Sequence, residues 1–150
     1  MRTVFYKRAT FVTHLPVEHL YTPSHNWLSC AGEGEWRVGY TKFALRMLGE
    51  LVDVKFTTAA GAAVEVGDIV GSIEGFKAIS DVYSVAKGRF VTGNTGLNDL
   101  ECVTDKPYDE GWLYQVAGEP DTRAMDVDAY RALLDVTIDR ILEKQRQEEK

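Results

Sequence analysis

Residues 67–84 read GDIVGSIEGFKAISDVYS, and this stretch decides how the chain folds. Two strand-like runs flank Lys77, and a glycine stands behind each run, at Gly67 and at Gly88. Because glycine adopts the positive φ of tight turns without steric cost, the pattern predicts a β-hairpin with a positive-φ turn behind each strand. Lys77 is then at the hairpin tip, where its amine is suited to acylation by a modifying enzyme. The alternative is an ordinary solvated lysine in a surface turn.

Length and charge limit the classes of protein to consider. The 150 residues predict one domain, residues 1–150, with a core of ordinary size. The net charge of −6 and the lack of a Lys/Arg cluster argue against nucleic-acid binding, since phosphates require a basic face. No apolar run approaches the ~20 residues that span a bilayer, so no membrane segment is predicted. The histidines and serines fit no metal-binding or hydrolase motif, and His25 is expected to make a structural hydrogen bond.

The two cysteines and the N-terminus bear on the compartment. Cys30 and Cys102 are far apart in sequence and lack the spacing of a metal site or a CxxC motif. We expect two reduced thiols, as in a reducing cytosol. The N-terminus is basic but lacks the apolar region of a secretory signal. The expected location is therefore the cytoplasm, with the mitochondrial matrix as the weaker alternative.

Strand patterns dominate the rest of the chain. Residues 3–13 are weakly strand-like, and alternation with β-branched residues predicts strands at 36–40, 51–56 and 112–116. A single helical turn is expected over 13–20. The segment from Asn94 to Asp105 reads as irregular.

Two helices are predicted beside these strands. Thr41 is a suitable N-cap for a helix over Lys42–Leu48, and Gly49 would end it with a positive φ. The apolar face of that helix is expected to comprise Ala44, Met47 and Leu48. Asp126 is expected to cap a C-terminal helix whose apolar stripe packs on the core. The stripe comprises Val127, Tyr130, Leu134, Ile138 and Ile141. The charged tail from Glu143 to Lys150 is expected to fray.

Four separated motifs occur at consistent spacing. The first comprises Tyr21, Thr22, His25 and Trp27, and the second comprises Val38, Gly39, Thr41, Ala44, Leu48, Gly49, Leu51 and Val52. The third comprises Gly67, Asp68, Glu74, Lys77, Ala78, Ser80, Asp81, Val82, Tyr83 and Ser84. The fourth comprises Pro107, Tyr108, Gly111, Trp112 and Leu113. In this order they resemble the H protein family of the glycine cleavage system, small lipoyl carriers, over roughly residues 20–135.

The resemblance implies a fold and a site. The expected fold is mainly β with peripheral helices, a barrel-sandwich hybrid of the lipoyl- or biotinyl-carrier type with a C-terminal helix. Residues 1–19 would be an N-terminal extension, and residues 126–150 the C-terminal helix and charged tail. Lipoic acid would be attached covalently to Lys77. The residues expected to be recognised around that lysine are Glu74, Gly75, Phe76, Ala78 and Asp81, with Gly75 at a positive φ.

The resemblance also implies a function without catalysis. The chain would be a cofactor-carrying component that shuttles an aminomethyl group between partner enzymes on its lipoyl arm. The partners would be glycine decarboxylase (P protein), aminomethyltransferase (T protein), dihydrolipoyl dehydrogenase (L protein) and a lipoate-attaching enzyme.

Departures from the family pattern keep two alternatives open. Gly75 and Phe76 stand where the family has Ser and Val, and Val85 replaces a proline. Both ends of the chain extend beyond the family's common core. The alternatives are a similar lipoyl carrier serving another pathway, and an unmodified interaction protein of the same fold. A biotin carrier is disfavoured, because Phe76 and Ala78 replace the two methionines that normally flank a biotinylated lysine.

Overall fold

Strands in three sheets make up the largest share of the regular structure in the computed structural model, which describes residues 1–149. The strands are β1 (Thr3–Arg8), β2 (Phe11–Pro16), β3 (Leu20–Tyr21), β4 (Asn26–Gly32), β5 (Glu35–Tyr40), β6 (Leu51–Phe56), β7 (Ala63–Val64), β8 (Ile69–Gly75), β9 (Ile79–Tyr83), β10 (Ala86–Gly93) and β11 (Tyr114–Pro120). The helices are α1 (Lys42–Leu48), α2 (Glu101–Asp105) and α3 (Val127–Glu148). The prediction of a mainly β fold with peripheral helices and a C-terminal helix is confirmed.

The lysine hairpin consists of β8 and β9, which pair antiparallel with Glu74 opposite Ile79 and Ser72 opposite Asp81. β6 pairs with the other edge of β8, so the hairpin belongs to a three-stranded sheet of order β6-β8-β9. Ile73 is fully buried on the inner side of this sheet. The predicted hairpin with Lys77 between its strands is therefore present.

The main core lies between this sheet and a six-stranded sheet of order β3-β4-β5-β11-β10-β7. Ile73 and Val82 from the hairpin belong to the same buried cluster as Val38 and Val116 from the larger sheet. Burying an aliphatic side chain of this size contributes about 1.5–3 kcal/mol. The hairpin strands are thus fixed by core packing, whereas the turn between them projects beyond it.

A second buried cluster joins the two ends of the chain. Tyr6 and Phe11 from the β1–β2 hairpin pack with Tyr130 and Leu134 of α3 and with Phe43 of α1. This cluster places the N-terminal hairpin and the C-terminal helix beside the helix that precedes the lysine sheet.

Gly67 and Gly88 have different roles behind the two strands. Gly67 has φ 94°, so a turn that requires glycine is present there. Gly88 does not have a positive φ, and that prediction is wrong. Gly88 instead faces Gly118 across β10 and β11, and a Cβ at position 88 would overlap the carbonyl oxygen of Ala117. Close approach of two backbones is the reason for glycine here.

The predicted helical turn over 13–20 is wrong, because residues 11–16 form β2. Phe11, Thr13 and Leu15 are buried, while Val12 and His14 are exposed. This alternation has the period of a strand with one face on the core. The backbone pairs with β1 from Thr3 opposite Pro16 to Arg8 opposite Phe11.

Both longer helices begin where the sequence predicts. Thr41 accepts a hydrogen bond from the N–H of Ala44, and Asp126 accepts one from the N–H of Ala129. Gly49 ends α1 with φ 79°. The buried face of α1 is Phe43, Leu45 and Leu48, so the predicted placement of Met47 is wrong; Met47 is 52% exposed.

The C-terminal half of the chain departs from prediction in three places. A short helix, α2, lies inside the segment predicted to be irregular. The last strand begins at Tyr114 and runs to Pro120 rather than over 112–116. The stripe of α3 is buried at Val127, Tyr130, Leu134 and Ile138. However, α3 continues to Glu148, so the predicted fraying from Glu143 is wrong up to that residue; Lys150 lies outside the described residues.

Among residues 1–149, no helix combines the length and the apolar character that a membrane-spanning helix requires.

Candidate functional site

The turn that carries Lys77 is tied to the end of α1. The backbone N–H of Lys77 donates to the carbonyl oxygen of Leu48 at 2.9 Å, and the N–H of Phe76 donates to Glu50 O at 3.0 Å. Carbonyls at the end of a helix lack partners within the helix, and Lys77 supplies a donor to one of them. The turn is therefore held by backbone contacts, and its side chains are left available.

Gly75 permits this close contact. Its N–H donates to Ala78 O at 2.9 Å, which closes the turn around the lysine. A Cβ at position 75 would overlap the carbonyl oxygen of Leu48. Gly75 does not have a positive φ, so the predicted conformational reason is wrong and close approach to α1 is the physical one.

The Lys77 side chain is exposed and lightly held. Its Nζ donates to the carbonyl oxygen of Arg46 at 3.3 Å. Among residues 1–149 it takes part in no ion pair. An amine in this position is accessible to an enzyme that acylates it, and no carboxylate partner has to be displaced.

The other predicted recognition residues surround the lysine on the sheet and on the turn. Phe76 is 76% exposed, and the side chains of Glu74, Ala78 and Asp81 are also exposed. In the part of the chain that the structure describes, neither Glu74 nor Asp81 forms an ion pair. Their contact with a ligase or partner stays a prediction. Phe76 therefore does not fill the end of the hairpin.

Two grooves meet at Lys77. The larger, of about 800 Å³, runs between α1 and α2 and includes the carboxylates of Glu50, Glu101 and Asp105. The smaller, of about 370 Å³, runs between the turn after β1 and the far end of α3. Both grooves are bounded by Arg46 and Lys77.

Arg46 lies between the two grooves, and sequence reasoning did not find it. Its guanidinium donates to Thr10 Oγ1 at 3.1 Å and lies over the ring of Phe11 at 5.7 Å from the centroid. An arginine in the last turn of a helix is common because it complements the helix dipole, so its position alone gave no functional signal. The contacts depend on the N-terminal hairpin, whose docking the sequence did not predict.

The hydroxyl group of Tyr130, on α3, contacts the residue that caps the N-terminus of α1. The Tyr130 hydroxyl is hydrogen-bonded to Thr41 Oγ1 at 2.8 Å and to His25 Nδ1 at 2.9 Å. The predicted structural hydrogen bond of His25 is therefore present. Burial lowers the pKa of His25 to about 4, so the ring is neutral near pH 7. Because Thr41 caps α1, this contact connects α3 to the helix on which Lys77 rests.

The geometry fits a covalent acyl arm better than a catalytic centre. The residues provide an exposed amine on a turn held by backbone hydrogen bonds, with two grooves of mixed apolar and charged lining beside it. Within residues 1–149 no three His, Cys, Asp or Glu side chains gather in a way that could hold a metal ion. Cys30 and Cys102 are free thiols, as predicted.

Comparison with known proteins adds independent information. A glycine cleavage system H protein from Hydrogenovibrio crunogenus is 41% identical over 126 residues, which cover 81% of this chain and 96% of that protein. The H protein of Corynebacterium jeikeium is 37% identical over 125 residues, covering 81% of this chain and 98% of the relative. The crystal structure of the H protein from Mycobacterium marinum superposes with a TM-score of 0.70 at 31% identity, covering 79% of this chain and 97% of that one.

The match with that crystal structure confirms the predicted barrel-sandwich fold. The sequence profile described as "Glycine cleavage H-protein" matches residues 19–135. Residues before 19 and after 135 thus lie outside the family match, and they include the N-terminal hairpin and the second half of α3. The chain belongs to the glycine cleavage H-protein family.

Proposed function

We propose that this chain is a lipoyl carrier without catalytic activity of its own, and that Lys77 is the attachment residue. The observation that carries the proposal is the position of Lys77 at the tip of the β8–β9 turn, with its amine exposed and outside every ion pair of residues 1–149. A ligase must bring an activated acyl group to the neutral amine, which requires access from solvent and no competing carboxylate.

The residues around Lys77 fit the lipoyl group in two ways. Backbone hydrogen bonds from Phe76 and Lys77 to the end of α1 fix the base of the arm, so that its direction is defined. Apolar side chains near the lysine, including the exposed Met47, offer surface for a hydrocarbon chain.

The chemistry would come from the cofactor and the partners. When bound, the lipoyl group supplies a dithiolane that can be opened and can carry an aminomethyl group from a glycine decarboxylase to an aminomethyltransferase before a dihydrolipoyl dehydrogenase reoxidises it. The chain itself positions the arm and presents Phe76, Glu74 and Asp81 to these enzymes and to the lipoate-attaching enzyme. Free thiols at Cys30 and Cys102 fit a reducing cytoplasm.

Intact-mass spectrometry tests the attachment. Expression of the full chain with a lipoate ligase and lipoic acid is expected to add the mass of one lipoyl amide. Lys77→Arg is expected to abolish the addition, whereas Lys42→Arg, an exposed lysine on α1, is expected to retain it. An unchanged wild-type mass, or a modified Lys77→Arg chain, would overturn the proposal.

A second candidate, a carrier of the same kind for another pathway, is favoured by one observation. Phe76 is 76% exposed beside the lysine, and a large exposed aromatic side chain suits a specific partner surface. Reconstitution of the lipoylated protein with glycine decarboxylase separates the two candidates. Exchange of carbon dioxide into glycine supports the first, and its absence from correctly lipoylated protein supports the second.

A further inference from the structure

One side of β1 has no neighbouring strand, because β1 and β2 form a sheet of only two strands. The N–H of Val17 donates to Arg2 O at 3.0 Å, and this pair continues the β1–β2 register. Hydrogen-bonded and non-hydrogen-bonded pairs alternate along an antiparallel ladder, so the even-numbered residues of β1 bond to β2. The odd-numbered residues point their backbone groups away from β2. These residues form what we call the free edge, and they are Thr3, Phe5 and Lys7.

Nothing in the described chain occupies the free edge. Within residues 1–149, no other backbone segment is hydrogen-bonded to the outward groups of these three residues. The edge strand β9 differs, since the carbonyl oxygens of Asp81 and Tyr83 accept hydrogen bonds from tyrosine hydroxyls at 3.5 and 2.9 Å. Proteins commonly protect an edge with a proline or a bulge, and β1 contains neither. The free edge is therefore able to accept another strand.

We propose that the free edge is an interface between two copies of this chain, whose β1 strands pair antiparallel across a two-fold axis at Phe5. The edge lies before residue 19, outside the segment that matches the family. The proposal is independent of the carrier function, because no part of it requires a modified lysine.

The spacing of the outward residues selects the register. If Phe5 faces Phe5 of the second copy, Thr3 faces Lys7 of the second copy, and all three outward residues of each strand are paired. Each such pair exchanges two N–H···O bonds, which gives about six across the axis. A shift of two residues in either direction would leave only two of these pairs within the strands. A two-fold axis at Phe5 thus uses the whole free edge.

The side chains on this edge agree with the register. Phe5 is 54% exposed, and its ring centroid lies 5.2 Å from that of His14 on β2. Two Phe5 rings directly opposite each other form an aromatic cross-strand pair, which stabilises a sheet. The two Lys7 side chains would be about 14 Å apart along the strands. That separation exceeds the Debye length of about 8 Å at physiological ionic strength, so their repulsion is largely screened.

A groove beside the free edge leaves space for the second copy. It has a volume of about 490 Å³ and lies between β1 and the first half of α3, with the small side chain of Ala132 in its wall. Arg131, in the same wall, contacts Asp128 at 3.4 Å, but among the described residues its buried Nε has no acceptor. An incoming chain can provide one. Lys77 does not line this groove, so pairing at β1 leaves the lysine turn accessible.

Self-complementarity favours a second copy over a foreign strand. A two-fold interface uses the same surface twice, so any edge that matches its own reversed sequence has its partner in every other copy. The free edge meets this condition through Phe5 at its centre and through Thr3 and Lys7 at equal spacing from it. A foreign strand would have to bring a sequence that nothing in this groove specifies.

The first test measures the mass of the full, unmodified chain by sedimentation and light scattering at concentrations up to about 1 mM. We expect the mass to rise with concentration from 16.8 kDa toward twice that value. Amide hydrogen exchange followed by NMR identifies the surface. The amides of Phe5 and Lys7 are expected to exchange more slowly as the dimer forms. Those of Val12 and His14, on the opposite edge of the same hairpin, are expected to be unchanged.

Charge variants at the axis provide a matched test. Phe5→Glu and Phe5→Lys each place like charges directly opposite each other and remove the aromatic pair, so each is expected to weaken the dimer at least about tenfold. An equimolar mixture of the two brings unlike charges together and is expected to restore dimerisation. Restoration also shows that both variants are folded. Val12→Glu, an exposed position on the other strand of the hairpin, is the control and is expected to dimerise as the wild type does.

The outcomes separate this interface from the alternatives. Concentration-dependent dimers that are lost in each Phe5 variant and restored in the mixture support the proposal. A mass of one chain at every concentration overturns it and leaves the edge to a foreign strand. A dimer that both Phe5 variants retain, or in which the Phe5 and Lys7 amides exchange as in the monomer, uses another surface and also overturns it. None of these measurements involves lipoylation, so a failure of the proposed function is recognised separately.

Discussion

The backbone N–H of Lys77 donates to the carbonyl oxygen of Leu48 at 2.9 Å, so the residue proposed for modification is joined directly to the last turn of α1. A hairpin tip without such a contact would move independently of the core. Here the hairpin tip is hydrogen-bonded to α1, and α1 is itself capped by Thr41 and packed on the core.

Gly75→Val is expected to destabilise the chain and to displace the lysine turn. The new side chain would overlap the carbonyl oxygen of Leu48, and neither backbone can yield without breaking the turn. We expect a loss of about 1–3 kcal/mol in the free energy of unfolding, measured by urea denaturation. Gly96→Ala is a suitable control, since its nearest neighbour would be a side-chain atom of Asn94 at 3.2 Å. Equal stability of the two variants would contradict the close packing at position 75.

Gly88→Val is expected to lower the melting temperature far more than Lys77→Arg. A side chain at position 88 would overlap the carbonyl oxygen of Ala117 across β10 and β11. The lysine is exposed, and its replacement is expected to change the free energy of unfolding by no more than about 0.5 kcal/mol. Thermal unfolding followed by circular dichroism measures both. A Lys77→Arg chain that melts as early as Gly88→Val would mean that the lysine has a packing role.

Tyr130→Phe is expected to cost about 1–3 kcal/mol, although it removes a single oxygen atom. That hydroxyl is the hydrogen-bond partner of both Thr41 Oγ1 and His25 Nδ1, and Thr41 is buried. Tyr83→Phe, at a half-exposed site, provides the same chemical change without these contacts. Chemical denaturation of the two variants gives the comparison. A loss of similar size in Tyr83→Phe would contradict the assignment.

Stability is expected to fall as the pH is lowered from 6.5 to about 4. Burial lowers the pKa of His25 to about 4 in the folded chain, whereas the unfolded value is near 6.5. Between these values the unfolded chain binds more protons, so the free energy of unfolding rises with pH, by on the order of 3 kcal/mol over the whole window. Burial also lowers the pKa of His19, which acts in the same direction.

A variant isolates the share of His25 in that pH dependence. His25 has φ 65°, a conformation that asparagine tolerates, so His25→Asn keeps the backbone and removes the titrating ring. Urea denaturation at several pH values is expected to show a shallower slope for the variant between pH 4 and 6.5. Identical slopes for the two proteins would show that His25 does not contribute. Hydrogen-bonded ion pairs with arginine lower the pKa of Asp121 and the pKa of Asp139. Their contribution to the pH dependence is the same in both proteins and cancels in the comparison.

The hairpin and its lysine could be predicted because they depend on local patterns. Alternation around Lys77, and a positive φ at Gly67, are properties of a few consecutive residues. The reasons for Gly75 and Gly88 could not be found in the same way. Each is glycine because a distant part of the backbone passes close to it, and sequence alone does not show which part.

The N-terminal hairpin was predicted only in part: residues 3–13 were expected to be strand-like, as β1 and the start of β2 are, but the helical turn expected over 13–20 is wrong. Phe11 and Leu15 are buried in the cluster that contains residues of α1 and α3, and Thr13 between them is buried as well, so packing selects a strand. That surface is formed by residues of α1 and α3, which lie far from β2 along the chain. The groove at the two ends of the chain, and the place of Arg46 beside it, follow from this docking and carry no local signal.

The contact between the Lys77 ammonium and the Arg46 carbonyl has a consequence for modification. The ammonium lies at the C-terminal, partially negative end of α1, where a positive charge is stabilised by the helix dipole. Acylation neutralises the nitrogen but leaves it one N–H, so a hydrogen bond can persist while the attraction to the helix end disappears. The unmodified lysine is thus attracted to the C-terminal end of α1, and acylation removes that attraction and leaves the side chain more mobile.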